Sequence, residues 1–168
     1  MFHKIASINE YIQSTDRVVF VRWSSDIAGD VRRGYSRNHQ TGAQEAGLSV
    51  NPLTSDTFSG PAYIAQQIRE YVYLAIGTGA RPYVLTGEIA GYGADGEPVI
   101  VDAAIVGEIS QAALDEAEHI GANEQTRRIM EYAKLYADRQ ATYGRDAYIS
   151  LVAKGARVWV EDVRKVLG

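Results

Sequence analysis

The chain has 168 residues, of which 46% are apolar and 23% are charged, and its formal net charge is −4. This balance excludes the intrinsically disordered class, which has too few apolar side chains to form a core. There is no cysteine, so disulfide bonds and thiolate chemistry are also excluded. The acidic net charge disfavours nonspecific binding to nucleic acid.

The apolar runs of the sequence bear on where the protein acts. No apolar stretch after Met1 is long enough for a signal peptide. No run approaches the roughly 20 apolar residues that cross a bilayer. We therefore expect a cytoplasmic protein without a membrane partner.

The first elements are predicted from capping and β-propensity signals. Ser7 and Glu10 have the spacing of a capping box, which predicts a helix from about residue 8 to residue 14. Residues 17–23 are rich in β-branched and aromatic side chains and predict a strand. The apolar run at 18–21 indicates a strand that is buried on both faces.

A long polar segment follows the first strand. Residues 24–46 contain three glycines and little apolar periodicity, which is typical of a functional loop. A helical turn is expected within it near residues 26–31. Residues 47–51 predict a short strand, which Pro52 is expected to stop.

The remaining elements are predicted from helix-start, turn and periodicity signals. Pro61 suits the first position of a helix that is expected to end at Gly77 or Gly79. Ser110 and Asn123 are predicted N-caps. The other predicted elements are strands at 82–89, 98–106 and 156–160, a hairpin turn at 91–96, and helices at 110–118 and 123–142. We expect one α+β domain over residues 1–168, with a small bent or split sheet and helices packed around it.

Three residues at strand edges are the strongest candidates for chemistry. Arg22 ends the first strand, Ser49 lies in the short second strand, and Glu97 opens the strand after the glycine-rich turn. An arginine there can make forked bonds to a pyrophosphate. A carboxylate beside a ribose can stabilise the positive charge that develops as a leaving group departs.

The order of these residues resembles the arginine–serine–glutamate signature of the ADP-ribosyltransferase superfamily. The resemblance is carried by VRWS at 21–24, GLSVN at 47–51 and DGEPVIV at 95–101, and it spans about residues 18–106. In that family one strand carries the Arg, a second carries a Ser-Thr-Ser motif, and a Glu begins a later strand. The chain also resembles uncharacterised bacterial proteins that share the pattern RWS, GLS.NPL and G.DGEP.

This resemblance implies that NAD is bound as a substrate in a cleft between two small sheets, without a metal. It implies that Arg22 holds phosphate or ribose, Ser49 orients it, and Glu97 is catalytic. ADP-ribose would pass to a macromolecular acceptor or to water. Asp95 occupies the position that helps to choose the acceptor, and Tyr35 is a candidate to stack on nicotinamide.

A second hypothesis is a non-catalytic binding or regulatory protein. Arg32, Arg33, Arg37 and His39 are concentrated in eight residues. Phosphate contacts need positive charge and mobile donors. The basic segment 32–39 could therefore hold a partner or a nucleotide.

A third hypothesis is a magnesium-dependent nuclease that uses Asp95, Glu97 and Asp102. Alternation along a strand places residues 97 and 102 on opposite faces, which disfavours this reading. The glycines at 91–96 precede a strand rather than a helix, so they do not match a dinucleotide fingerprint. The three histidines are far apart in sequence, and no zinc site is expected.

Overall fold

A computed structural model describes residues 1–38, 40–56, 58–70, 72–75, 77–94 and 96–168, with the main chain alone at residues 73 and 74. The chain divides into an N-terminal unit, residues 1–120, and a C-terminal unit, residues 121–168. Each unit has its own apolar core, and each is described by itself below.

Both units are built from regular elements in the described part of the chain, and together they confirm the expected α+β class. The N-terminal unit contains α1 (Ile5–Ser14), β1 (Val19–Ser24), α2 (Ile27–Arg33), β2 (Leu48–Ser49), β3 (Asn51–Pro52), α3 (Pro61–Glu70), a 3₁₀ turn (Val72–Ala75), β4 (Arg81–Tyr92) and β5 (Pro98–Glu108). Helix α4 (Gln111–Leu135) begins in the N-terminal unit and continues into the C-terminal unit, which also contains α5 (Ala137–Tyr143), α6 (Arg145–Ala156) and α7 (Val160–Leu167).

The five strands form one curled antiparallel sheet in the order β2-β5-β4-β1-β3. The two edge strands, β2 and β3, are consecutive in sequence and are separated by Val50 alone. A five-residue segment can reach both edges only if the sheet curls back on itself. The expected bent sheet is therefore present, and nothing in this arrangement is specific to the ADP-ribosyltransferase fold.

Two glycines allow the close approaches that shape the curled sheet. A Cβ atom at Gly47 would lie 2.7 Å from the carbonyl carbon of Ile100, so only glycine fits beside β5 there. A Cβ at Gly87 would lie 2.7 Å from Cδ1 of Ile100. Gly87 stands where the β4–β5 register shifts, opposite a bulge in which Asp102 has a φ of 51°.

The pleat of β1 divides the core of the N-terminal unit into two clusters. Val19, Val21 and Trp23 point to one cluster, and Phe20 points to the other. The first cluster is completed mainly by Ile5, Ile8, Leu53, Ile64, Ala65, Ile68, Val84, Ile109, Ala113 and Ala117, and the second by Ile27, Leu48, Val50, Leu85 and Ile100. Burial of β1 on both faces is confirmed, except that Val18, just before the strand, is 45% exposed.

The core of the C-terminal unit is formed by α6 against α4 and α7. Its buried members are Ile129, Ala133, Tyr148, Ile149, Val152, Ala153, Ala156 and Val163. The hydroxyl of Tyr148 donates to the carbonyl of Ala133 at 3.0 Å. A Cβ at Gly155 would collide with the ring of Tyr132, so this glycine lets α6 approach that ring closely.

Several predicted boundaries in the N-terminal unit are wrong. Helix α1 starts at Ile5 with Lys4 as its N-cap, so Ser7 lies inside the helix and forms no capping box. Pro52 does not stop the short strand but pairs with Phe20 in β3. Proline is tolerated there because β3 is an edge strand. Helix α3 ends at Glu70, and β4 extends to Tyr92 into the predicted turn.

The C-terminal predictions differ more strongly from the structure. Asn123 does not cap a helix, because α4 runs through it without a break. The helical spacing of Ile129, Met130 and Ala133 predicts that all three face inward, but only Ile129 and Ala133 are buried, whereas Met130 is exposed. The strand predicted at 156–160 is absent, and these residues contain the end of α6 and the start of α7.

Arg157 gives a prediction about stability, because it ends α6 in the left-handed region, with φ 58° and ψ 51°. A side chain is strained there, and glycine is the preferred residue at this position. We expect Arg157→Gly to raise the free energy of unfolding by about 0.5–1 kcal/mol in urea denaturation. Arg157→Ala keeps the Cβ atom and is expected to give no such gain. Equal effects from the two variants would contradict this explanation.

No helix in the described portion of the chain is both long enough and apolar enough to cross a membrane.

Candidate functional site

A cleft of about 610 Å³ lies where the β4–β5 hairpin faces the segment that follows β3. The hairpin contributes Ile89, Tyr92, Gly96, Glu97 and Pro98, and the other wall is made by Val18, Asn51, Pro52, Thr54, Ser55 and Asp56. This volume lies within the usual range for small-molecule sites. The sheet leaves this space because β1 begins at Val19, opposite Thr86, and the end of β4 extends beyond it.

Glu97 belongs both to the predicted site and to the lining of the cleft. Its main-chain carbonyl accepts a hydrogen bond from the N–H of Gly93 at 2.7 Å, which closes the hairpin. Its carboxylate lies directly over Gly93, where a Cβ atom would collide with it. The hydroxyl of Ser49 donates to Oε1 of Glu97 at 3.3 Å. The turn therefore holds the main chain of Glu97, and the neighbouring strand contacts its carboxylate through Ser49.

Ser49 is held by contacts at both its main-chain polar groups. It pairs with Val99 at the start of β5, which brings it close to Glu97. Its N–H donates to the hydroxyl oxygen of Ser36 at 2.9 Å. Its carbonyl accepts from Nη1 of Arg22 at 2.7 Å. Because the main chain is fixed in this way, the hydroxyl of Ser49 is directed at Glu97.

All three guanidinium nitrogens of Arg22 contact other groups of the protein. Nε and Nη2 each lie 2.9 Å from Oδ2 of Asp30. Nη1 contacts the carbonyl of Ser49 and the hydroxyl of Ser36. The Arg22 side chain is 17% exposed, and that of Asp30 is 14% exposed. Arg22 therefore connects α2 to β2 within a mostly buried network.

Asp30 is the anionic centre of this network. Burial alone would raise its pKa, but hydrogen bonds from Ser24, Arg22 and Arg33 and the charge of Arg22 outweigh burial and lower the pKa below its ordinary value. The hydroxyl of Ser24 lies 2.7 Å from Oδ2. Asp30 is therefore charged at neutral pH and holds Arg22 in place.

The lowered pKa of Asp30 predicts how stability depends on pH. A carboxylate with a depressed folded-state pKa stabilises the fold above its unfolded pKa, and this contribution is lost as pH falls through the folded pKa. We expect Asp30→Asn to lower the free energy of unfolding by about 2 kcal/mol at pH 7. The difference from the unmodified chain should shrink below about pH 4, measured by urea denaturation. Asp16→Asn, at an exposed carboxylate, is the control, and a pH-independent difference at Asp30 would contradict the assignment.

The basic segment and Tyr35 form a separate cluster beside this network. The guanidinium carbons of Arg33 and Arg37 lie 5.6 and 5.5 Å from the centre of the Tyr35 ring. Arg33 also bonds to Asp30 and to the carbonyl of Tyr35. The Tyr35 ring is thus engaged by two arginines. His39, which belongs to the predicted basic segment, lies outside the described residues.

The structure links the three predicted site residues in one chain of contacts, from Arg22 to Ser49 to Glu97. Of the three, Glu97 lines the cleft. Asp95, predicted to help choose an acceptor, lies outside the described residues. Over the described positions, no group of three or more His, Asp or Glu residues could hold a metal ion.

Sequence reasoning missed several residues of the cleft and its support. Asp56 and Tyr92 line the cleft. Ser36 accepts a hydrogen bond from the N–H of Ser49, and Asp30 binds Arg22, which donates to the carbonyl of Ser49. One sequence signal points to Tyr92, because it lies between Gly91 and Gly93, and clustered glycines mark turns, which lie at the surface. Asp30 and Ser36 carry no local signal, since their roles depend on α2 and the following loop folding back onto β1.

Comparisons with known proteins place the chain in a family. No curated protein and no solved structure matches it significantly. One family model matches residues 1–134, which cover the whole N-terminal unit and most of α4. The expected membership of an uncharacterised family is confirmed, and the chain belongs to the family of unknown function DUF6098.

Proposed function

We propose that the cleft binds a nicotinamide-ribosyl compound, and that the chain cleaves the bond between nicotinamide and ribose. NAD is the compound of this kind that the resemblance to ADP-ribosyltransferases implies. The observation that carries the proposal is the position of Glu97, which lines the cleft and accepts a hydrogen bond at Oε1 from Ser49.

In the proposed reaction, Glu97 acts by electrostatic stabilisation. As nicotinamide leaves, positive charge develops on the ribose at C1′ and its ring oxygen. A carboxylate already fixed beside that position stabilises the charge without having to reorganise. Asn51 and Thr54 line the same cleft, and both carry polar groups that can bond to the ribose hydroxyls. The ribosyl group then passes to water or to a nucleophile on another molecule.

Arg22 and Ser49 are positioning residues in this proposal. Arg22 acts through the carbonyl of Ser49, because its nitrogens are bound to Asp30, Ser36 and Ser49. Ser49 acts through its hydroxyl on Glu97. This differs from what the resemblance implies for Arg22, which is direct contact with phosphate or ribose.

The test is an NMR assay for free nicotinamide, with the purified chain incubated separately with NAD and with nicotinamide riboside. We expect release above the rate in buffer alone, and we expect Glu97→Gln to lower that rate by about 10²–10³-fold. If neither compound releases nicotinamide, the proposal is wrong. Product analysis by mass spectrometry then distinguishes free ribosyl product from transfer to an acceptor.

A second candidate function is a non-catalytic binding protein that uses the basic segment 32–39. It is favoured by the contacts of Arg33 and Arg37 with the Tyr35 ring, which bring two exposed arginines together at the end of α2 and in the segment that follows it. Its test is calorimetry with ATP as the phosphate-bearing probe. Binding that is lost in Arg37→Gln, in a chain that releases no nicotinamide, would support this candidate over the enzyme.

A further inference from the structure

The proposed reaction does not specify which nicotinamide-ribosyl compound is the substrate. The charged residues that line the cleft bear on this question. Asp56 and Glu97 lie in its two walls, and its described lining contains no lysine, arginine or histidine. NAD carries a pyrophosphate with two negative charges. A site that binds phosphate ordinarily supplies cationic side chains or a helix N-terminus to balance such charge. No cationic side chain does so in the described lining.

Arg22 does not make up for this lack of positive charge. Its guanidinium lies against the carboxylate of Asp30, and its side chain is mostly buried within the network. To contact a phosphate it would have to leave Asp30, Ser36 and the carbonyl of Ser49. That movement would leave Asp30 without its principal cation and would release the strand that holds Ser49 beside Glu97.

The walls of the cleft suit a cationic, sugar-bearing ligand instead. Tyr92 is 70% exposed and Ile89 is 46% exposed, and both line the cleft, so the hairpin contributes an aromatic and an aliphatic residue to it. The face of a tyrosine ring attracts an organic cation such as a pyridinium. The carboxylates of Asp56 and Glu97 add to this attraction.

We infer that the substrate is a cationic N-riboside without phosphate, of which nicotinamide riboside is the example, and that phosphorylated forms are disfavoured. The inference rests on the proposed function, because it names the substrate class of the same cleft. The volume of about 610 Å³ accommodates a riboside but does not exclude larger ligands. The substrate class is therefore inferred from the charge of the cleft walls and not from their size.

The reaction on this substrate balances as a hydrolysis. The bond between C1′ and the pyridinium nitrogen breaks, and its electron pair stays with nitrogen, so that nicotinamide leaves as a neutral molecule. A water oxygen bonds to C1′ and loses one proton to solvent. The products are nicotinamide, ribose and that proton, and neither an oxidant nor a reductant is needed. Glu97 faces the transient positive charge on the sugar.

The test compares kcat/KM for nicotinamide release from nicotinamide riboside, nicotinamide mononucleotide and NAD, at low and high salt. We expect the riboside to be preferred by about tenfold or more, and the preference to shrink in high salt as the wall charges are screened. Asp56→Asn should reduce the preference for the riboside over the phosphorylated compounds. Asp138→Asn, at an exposed carboxylate of the C-terminal unit, should leave this preference unchanged.

The outcomes separate this inference from the proposed function. Release from NAD or the mononucleotide at a rate equal to or above that from the riboside would overturn the substrate class while supporting the reaction. If Asp56→Asn leaves the preference for the riboside unchanged, the electrostatic explanation of that preference is wrong. Release from none of the three compounds would overturn the proposed function itself.

Discussion

Glu97→Gln is expected to lower the rate of nicotinamide release by about 10²–10³-fold. The reason is that the amide is neutral and cannot stabilise the charge that develops on the ribose. Glutamine has nearly the same shape, and its carbonyl oxygen can still accept the hydrogen bond from Ser49. The fold should therefore be preserved, with a melting temperature close to that of the unmodified chain.

Two further variants show whether the effect belongs to this carboxylate. Glu88→Gln removes an exposed carboxylate from β4, the other strand of the same hairpin, and is expected to retain full activity. Ser49→Ala removes the hydroxyl that positions Glu97 and is expected to reduce the rate by about tenfold. If Glu97→Gln were as active as Glu88→Gln, Glu97 would have no catalytic role.

Gly47→Ala is expected to destabilise the N-terminal unit by about 3 kcal/mol. The added Cβ atom would lie 2.7 Å from the carbonyl carbon of Ile100, and main-chain atoms cannot rotate away as a side-chain end can. Relief requires that β2 move away from β5. The carbonyl of Gly47 also accepts from the N–H of Ser36, so the same movement disturbs the support of Ser49.

Gly91→Ala is the matched control for this prediction. Gly91 lies on β4 with an ordinary negative φ, and a Cβ there would meet Cγ2 of Val99 at 3.7 Å, a normal packing distance. We expect a change within about 0.5 kcal/mol, measured for both variants by urea denaturation. Equal stability of the two variants would show that β2 and β5 are not as closely packed as described.

The candidate site was only partly predictable from sequence. The order of Arg22, Ser49 and Glu97 at strand edges was visible, and the structure connects them through Ser49. The sequence did not reveal that Arg22 is bound by Asp30, because that contact forms only when α2 packs beside β1. This contact changes the chemical role of Arg22 from a ligand-binding residue to a positioning residue.

The strand predicted at residues 156–160 of the C-terminal unit is wrong. Val158 and Val160 alternate with Arg157 and Trp159, which resembles a short strand. Five residues are too few to distinguish a strand from the junction of two helices. The junction is set instead by packing, because Val163 and Val152 are buried in one cluster while Trp159 is 78% exposed.

The sequence by itself determined the elements whose signals are local. These include the buried strand β1, the β4–β5 hairpin with its glycine-rich turn, and the start of α3 at Pro61. Within the predicted loop 24–46, the expected helical turn near residues 26–31 is part of the longer helix α2. Only the tertiary structure decided the places of β2 and β3. Each has two residues, too few to show any periodicity, and their pairing with opposite edges of the sheet follows from its curl. The pairing of β2 with β5 brings Ser49 close to Glu97. This pairing and the close packing at Gly47 act between residues far apart in the chain, so no local pattern in the sequence shows them.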